Sequence, residues 1–316
     1  MKVLLIRDSL LSSKQSSSLR KMDVDLQTIQ VDDFMNFQNS SETFDFELII
    51  GATELRDLEF AKYPQLKYLQ IISAGYDYLK INKVFDRGIK LFNASGVYSI
   101  PIAEWVIGLI LADYKKLEYF YNNHIANKWI PMYKLKELTG KKVLIFGTGS
   151  IGSEIAKRLN IFQCIIDGVN TNGRNVDFFN DCYKLENAIT IINNYDVIVF
   201  ALPSNKRTIK YVDKDFLKNL TSETIVINVG RGDLINEMDL INYSNQSKNN
   251  VRFYLDVVND EPLDKEDKLW KCKNIFITPH NSFSSDLHRE RLQSLIFENI
   301  TSIINKSKLR NEVKGE

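Results

Sequence analysis

The stretch VLIFGTGSIGSEIAKRL, residues 143–159, decides the fold. VLIF is an apolar run of strand length, GTGSIG follows it directly, and SEIAKRL is polar and helix-compatible. A strand, a glycine turn and a helix in that order make a phosphate loop. Gly147 permits the tight turn, Gly149 lets the backbone approach a pyrophosphate, and Gly152 allows close packing of helix on sheet, with the helix N-terminus facing the anion. Gly147, Thr148, Gly149, Ser150, Ile151 and Gly152 are therefore read as cofactor-binding residues at the first turn of a dinucleotide-binding sheet.

Outward from this loop, short apolar runs alternate with helix-compatible segments, the mark of strand–helix–strand units and a mostly parallel sheet. After VLIF come CIIDGV (164–169), DVIVFA (196–201), TIVIN (224–228), RFYLDV (252–257) and NIFIT (274–278). With VLIF these make six strands, which a full dinucleotide-binding sheet requires. Before them lie VLLI (3–6), LQTIQV (26–31), ELII (47–50), LQII (69–72) and KLFN (90–93), enough for a second, smaller doubly wound domain. SIPIAEWVIGLILADYKKLEYF, between the sets, reads as one long apolar helix opened by serine and proline, and SSDLHRERLQSLIFENITSIIN as a terminal helix. SSKQSSS (12–18) reads as a solvated loop.

The chain has 316 residues, about twice a typical domain of ~150. Its 41 basic and 40 acidic residues leave a net charge of +1, without the electrostatic footprint that nucleic acid or an anionic membrane demands. Cys164, Cys182 and Cys272 are widely spaced with no CxxC pair, which argues against a disulfide framework and a metal site and points to a reducing compartment. MKVLLIRD turns charged too early for a secretion signal, and WVIGLILA (105–112) is well short of the ~20 residues of a membrane span. The expected location is the cytoplasm.

The ribose end of the cofactor is less plainly marked. NAD-selective sites carry an acid about 18–20 positions beyond the last glycine. That position here is Asn170, and Asp167 lies inside the strand run. Arg174, in NTNGR, either pairs with a 2′-phosphate or is a solvated loop residue; with Asn170 in place of the acid, NADP is favoured over NAD.

NVGRGD (228–233) sets a permanent cation, Arg231, at the end of an apolar run. Either a carboxylate meets it inside the protein or an anionic ligand comes to it. Glu261 follows the next strand in DVVNDEPL, and His280 the last in FITPHN. In an open parallel sheet the C-terminal strand ends share one edge, above which the ligand binds. Leu202 and Pro203, after the third strand, and Val229 and Gly230, after the fourth, join the cofactor-facing set on the same ground. The three ionisable groups suit reduction of a carbonyl next to a carboxylate. Arg231 holds the carboxylate and polarises the carbonyl, His280 gives a proton to the alkoxide, and Glu261, bonded to the other ring nitrogen, fixes the tautomer.

NVGRG, DVVNDEPL and TPHNS together resemble the D-isomer-specific 2-hydroxyacid dehydrogenases, over nearly the whole chain. The resemblance implies that Arg231, Glu261 and His280 are catalytic. It also implies that SAGYD (73–77) binds the substrate carboxylate around Ser73, Ala74 and Gly75, along with Arg231 and His280, and that Asp256 lies near the nicotinamide carboxamide. EPLDKEDKLW is similar to a segment of the glyoxylate and hydroxypyruvate reductase branch, so small 2-oxoacids are the expected substrates. A cytoplasmic homodimer is implied, in which residues 1–99 and 284–316 form a discontinuous flavodoxin-like substrate domain and 100–283 the Rossmann domain. Trp105 stands where many members carry histidine. The absence of an appended regulatory domain and of extra elements speaks against long-form phosphoglycerate dehydrogenase and formate dehydrogenase.

His124 and His288 read as surface residues. Trp129, in NKWIPMY, is either core or a residue that closes the pocket. A reading from another class also fits these residues: a nucleotide-sensing regulator or corepressor on the same fold, which binds cofactor tightly but turns over no 2-oxoacid.

Overall fold

Strands that are apolar on both faces need cover on both, and this chain supplies it twice. In the computed structural model, residues 1–246 and 250–314 are described. The chain divides into two units, Met1–Tyr98 with Ser285–Glu316, and Ser99–Ser284.

The first unit begins with β1 (Lys2–Ile6), α1 (Ser13–Arg20), β2 (Asp25–Ile29), α2 (Val31–Asn39), β3 (Leu48–Gly51), β4 (Tyr68–Ile71), α3 (Ile81–Phe85) and β5 (Lys90–Phe92). The second contains α4 (Ser99–Tyr114), α5 (Leu117–Ile125), β6 (Lys142–Phe146), α6 (Ser150–Ile161), β7 (Ile165–Asn170), β8 (Cys182–Lys184), β9 (Val197–Phe200), α7 (Lys214–Lys218), β10 (Ile225–Asn228), α8 (Glu237–Gln246), β11 (Arg252–Leu255) and β12 (Ile275–Ile277). α9 (His288–Ile304) and β13 (Glu312–Val313) then complete the first unit.

The first sheet runs β13-β5-β4-β3-β1-β2, parallel except for β13, and the second β12-β11-β10-β9-β6-β7-β8, parallel throughout. Both orders are doubly wound, flavodoxin-like in the first unit and Rossmann in the second. The period of two explains why β1 is apolar without interruption. Val3 and Leu5 face Leu19 of α1 and Leu292, Leu295 and Ile296 of α9. Leu4 and Ile6 face Phe34 of α2 and Val84 of α3. In the second unit Phe146, Phe200 and Phe253 pack with Phe216 of α7 and Leu240 of α8, while α4 lies on α6.

Several local expectations are corrected. SSKQSSS is not a loop: Ser12 and Gln15 form a capping box, with Gln15 N–H donating to the Ser12 hydroxyl and Ser12 N–H to the Gln15 carboxamide. Fully buried Leu19 then anchors α1, where burial of a leucine contributes about 1.5–3 kcal/mol. Val31 opens α2 instead of closing β2. The long central helix is two, broken at Lys116, whose φ of 52° is left-handed. The edge strands β8 and β13 carry no apolar run to announce them. Trp129 is 100% exposed and so is no part of the core. No helix among the described residues is long and apolar enough to cross a membrane.

Candidate active site

The phosphate loop joins β6 to α6. Gly147 takes φ 99°, and a Cβ on it would lie 2.6 Å from the carbonyl oxygen of Ala201. A Cβ on Gly152 would lie 1.8 Å from the Gly147 oxygen, so helix and strand meet there without room for a side chain. Gly149 opens on free space and caps α6 with no side-chain acceptor. The exposed start of a twelve-residue helix is thus left for an anion, as a bound pyrophosphate requires. Ser150 Oγ lies 2.7 Å from Ser99 Oγ at the start of α4, and Ile151 is half-buried. Across the edge, a Cβ on Gly230 would lie 2.7 Å from the Leu202 oxygen; Val229 is buried, Leu202 half-buried and Pro203 exposed. These residues fit a dinucleotide in shape and in polarity.

Within β7, Asp167 accepts from Tyr195 Oη at 2.6 Å and from the Asp181 amide at 3.1 Å, which commits its carboxylate to the interior. Asn170 is buried as well, and its carboxamide is turned into the NTNGR turn. Arg174 is exposed on that turn.

Adjacent strands β10, β11 and β12 carry Arg231, Glu261 and His280 beyond their C-terminal ends. Glu261 Oε2 lies 2.8 Å from His280 Nδ1, and Glu261 Oε1 accepts from the Val258 amide at 3.2 Å. His280 has φ 49°, a left-handed backbone fixed by its amide donating to Asp256 O at 2.8 Å and Thr278 O at 2.9 Å. The carboxylate of Asp256, 2% exposed, accepts from Thr278 Oγ1 at 2.6 Å, Asn281 N at 3.0 Å and Ser282 N at 3.1 Å. Arg231 is half-buried, with Nη1 donating to Gly230 O at 2.8 Å. Asn228, fully buried, ties this turn by donating to Arg231 O at 2.8 Å and accepting from Gly230 N at 3.1 Å. A Cβ on Gly232 would lie 2.0 Å from the Val258 carbonyl, so the arginine turn and the glutamate loop abut backbone to backbone. From outside, Glu237 Oε1 accepts from Asn259 N at 2.8 Å, and burial pushes its carboxyl above the usual carboxylate range.

In the first unit, the loop after β4 has its carbonyls tied inward. Ile72 O accepts from Tyr98 Oη (2.6 Å), Ser73 O from Ala94 N (2.9 Å), Ala74 O from Asn93 Nδ2 (2.8 Å) and Gly75 O from Ser73 Oγ (2.8 Å). None of the amides of Ser73, Ala74, Gly75 and Tyr76 meets an acceptor among the described residues. Successive free amides of this kind form an anion-binding nest. The Ser73 hydroxyl shapes the nest by bonding Gly75 O and Tyr78 Oη.

Residues 107–282 match the sequence profile of the family described as D-isomer specific 2-hydroxyacid dehydrogenase, NAD binding domain. The chain belongs to this family. The dehydrogenase is 30% identical over 248 residues, 77% of its own length and 80% of the other's, to an uncharacterized protein in the proB 3′ region of Corynebacterium melassecola. It is 25% identical over 270 residues to glyoxylate/hydroxypyruvate reductase HPR3 of Arabidopsis thaliana, covering 84% of its own chain and 82% of that one. Its fold is that of a D-isomer specific 2-hydroxyacid dehydrogenase family protein from Aeromonas salmonicida, with a TM-score of 0.82, 24% identity, and 99% and 98% of the two chains covered.

The dehydrogenase brings Glu261 and His280 into contact, and stands Arg231 at the end of the neighbouring strand. Sequence reasoning missed Asn228 and Gly232, which shape the arginine turn, and Asn93 and Tyr98, which shape the nest. A polar residue closing an apolar run was the available signal at Asn228. His124 is exposed, and His288 is half-buried, bonding Ser285 through Nδ1 at the start of α9. No group of His, Cys, Asp and Glu suited to a metal occurs among the described residues.

Proposed function

We propose that the protein reduces small 2-oxoacids, such as glyoxylate, hydroxypyruvate or pyruvate, to D-2-hydroxyacids, with NADPH preferred over NADH. The Glu261–His280 pair, 2.8 Å apart on a strand end beside Arg231, carries the reading. With Nδ1–H donated to Glu261, the Nε2–H of the imidazolium is the proton available to the substrate oxygen. Arg231 polarises the carbonyl and offers its planar guanidinium to the neighbouring carboxylate. The nicotinamide, when bound, supplies the hydride. The carbonyl carbon would thereby gain the hydride, and its oxygen the proton from His280. Preference for NADPH is supported by exposed Arg174 and by the commitment of Asp167 to Tyr195. Exposed Tyr121, Ile125, Trp129 and Tyr133, on α5 and the segment after it, support a homodimer.

The test is nicotinamide absorbance with a panel of 2-oxoacids and each cofactor. NADPH oxidation that depends on a 2-oxoacid is the expected result. Cofactor binding without turnover of any member would overturn the enzyme reading in favour of the nucleotide-sensing one.

A further inference from the structure

The turn after β7 holds a specificity device. We infer that Asn170 governs cofactor choice without touching the cofactor: it is a positioning residue that fastens the turn Thr171–Arg174 to the phosphate loop, and the turn meets the adenosine ribose. The inference rests on the dinucleotide-binding reading of GTGSIG.

Asn170 stands where an acid would bond the ribose hydroxyls, yet it is only 8% exposed. Its Nδ2 donates to Thr148 Oγ1 at 3.2 Å and to Arg174 O at 2.8 Å. Its Oδ1 accepts from the amides of Asn172 at 3.3 Å, Gly173 at 2.7 Å and Arg174 at 3.2 Å. A carboxamide has two N–H donors and one oxygen with two lone pairs, so these five contacts exhaust it. Nothing is left for a ribose hydroxyl. Gly173, at φ 71°, turns the chain so that Thr171, Asn172 and Arg174 are exposed outward. The bond to Thr148 makes the position of this turn depend on the same loop that receives the pyrophosphate.

An acid at this position would not recreate an NAD site. Aspartate keeps the three accepted amides, but the oxygen replacing Nδ2 would stand 2.8 Å from the Arg174 carbonyl oxygen, acceptor against acceptor. The turn would be pushed off, and the carboxylate would still face inward.

The experiment is calorimetric titration of the full chain with adenosine 2′,5′-bisphosphate and with 5′-AMP, for wild type, Asn170→Asp, Thr148→Val and Thr148→Ser. Asn170→Asp should weaken the bisphosphate by about tenfold and leave 5′-AMP no tighter than in wild type. Thr148→Val removes the acceptor of the Asn170 bond and should weaken the bisphosphate more than 5′-AMP, since both ligands carry the 5′-phosphate, while Thr148→Ser, which keeps the hydroxyl, should restore the ratio of the two affinities towards that of wild type; equal loss for both ligands would place the effect at the phosphate and overturn the inference. Tighter 5′-AMP binding by Asn170→Asp would overturn the inference, as would Thr148→Val with the wild-type ratio of bisphosphate to 5′-AMP affinity. The two threonine variants carry the test if the aspartate variant fails to fold. Wild type that binds neither nucleotide would remove the cofactor reading, and the inference with it.

Discussion

Replacing Glu261 with glutamine deletes one charge and keeps the shape, so it isolates what that charge does to His280. The two groups lie 2.8 Å apart, with side chains 38% and 46% exposed, so water screens the pair. Coulomb's law at that distance in bulk water gives about 1.5 kcal/mol, and exposed pairs in double-mutant cycles give about 0.2–1 kcal/mol. Reduction draws its proton from the imidazole that this carboxylate supports, so losing about 0.2–1 kcal/mol of the attraction should lower kcat/KM for reduction by about 1.4- to 5-fold. Glutamine also offers a donor: if its oxygen keeps the Val258 amide, its NH2 faces Nδ1 and turns that nitrogen into an acceptor. The assay is kcat/KM for reduction by wild type and Glu261→Gln at one pH. Reduction at the wild-type rate would show that Glu261 shapes the loop and does not support the proton.

Two further substitutions test the frame around the pair. Gly232→Ala puts a Cβ 2.0 Å from the Val258 carbonyl, a backbone group that cannot rotate away, and should cost about 2–4 kcal/mol in denaturant unfolding; unchanged stability would mean that the two loops part freely. Glu237→Gln tests burial. The folded state holds the Glu237 proton more tightly than the unfolded chain does, so wild type loses stability as pH rises through the ordinary value of 4.5. The glutamine variant should therefore melt higher than wild type at neutral pH, with the gap closing below about pH 4; a gap of equal size at both would rule out ionisation as its cause.

What could be read in the sequence followed from how strongly each residue constrains its neighbours. GTGSIG was legible because a strand, three glycines and a helix in that order have few other uses, and the apolar β1, β6, β9 and β10 because burial on both faces leaves no polar position. Arg231, Glu261 and His280 stood out as ionisable groups at strand ends. α1 was hidden, since four serines suggest a loop unless the Ser12–Gln15 box is noticed. Edge strands β8 and β13 were hidden because three and two residues carry no period. Asn170 was placed correctly at the end of β7, but the direction of its carboxamide depends on a turn whose path only the folded backbone specifies. Asn93 and Tyr98 act across sequence gaps of 19 and 26 residues, beyond any local pattern.

The first unit closes only with α9. Leu292, Leu295, Ile296 and Ile300 share a core with Val3, Leu5, Leu48 and Ile50, and nearly two hundred residues of the other unit are threaded between the two groups. On the ribosome, β1 and β3 therefore emerge with one face bare and wait through synthesis of the whole second unit. The second unit, contiguous from Ser99 to Ser284, has everything it needs sooner and is the one able to fold first. A stall or nick after residue 284 would release a chain whose nucleotide-binding half is complete and whose other half is sticky, a substrate for chaperones and proteases.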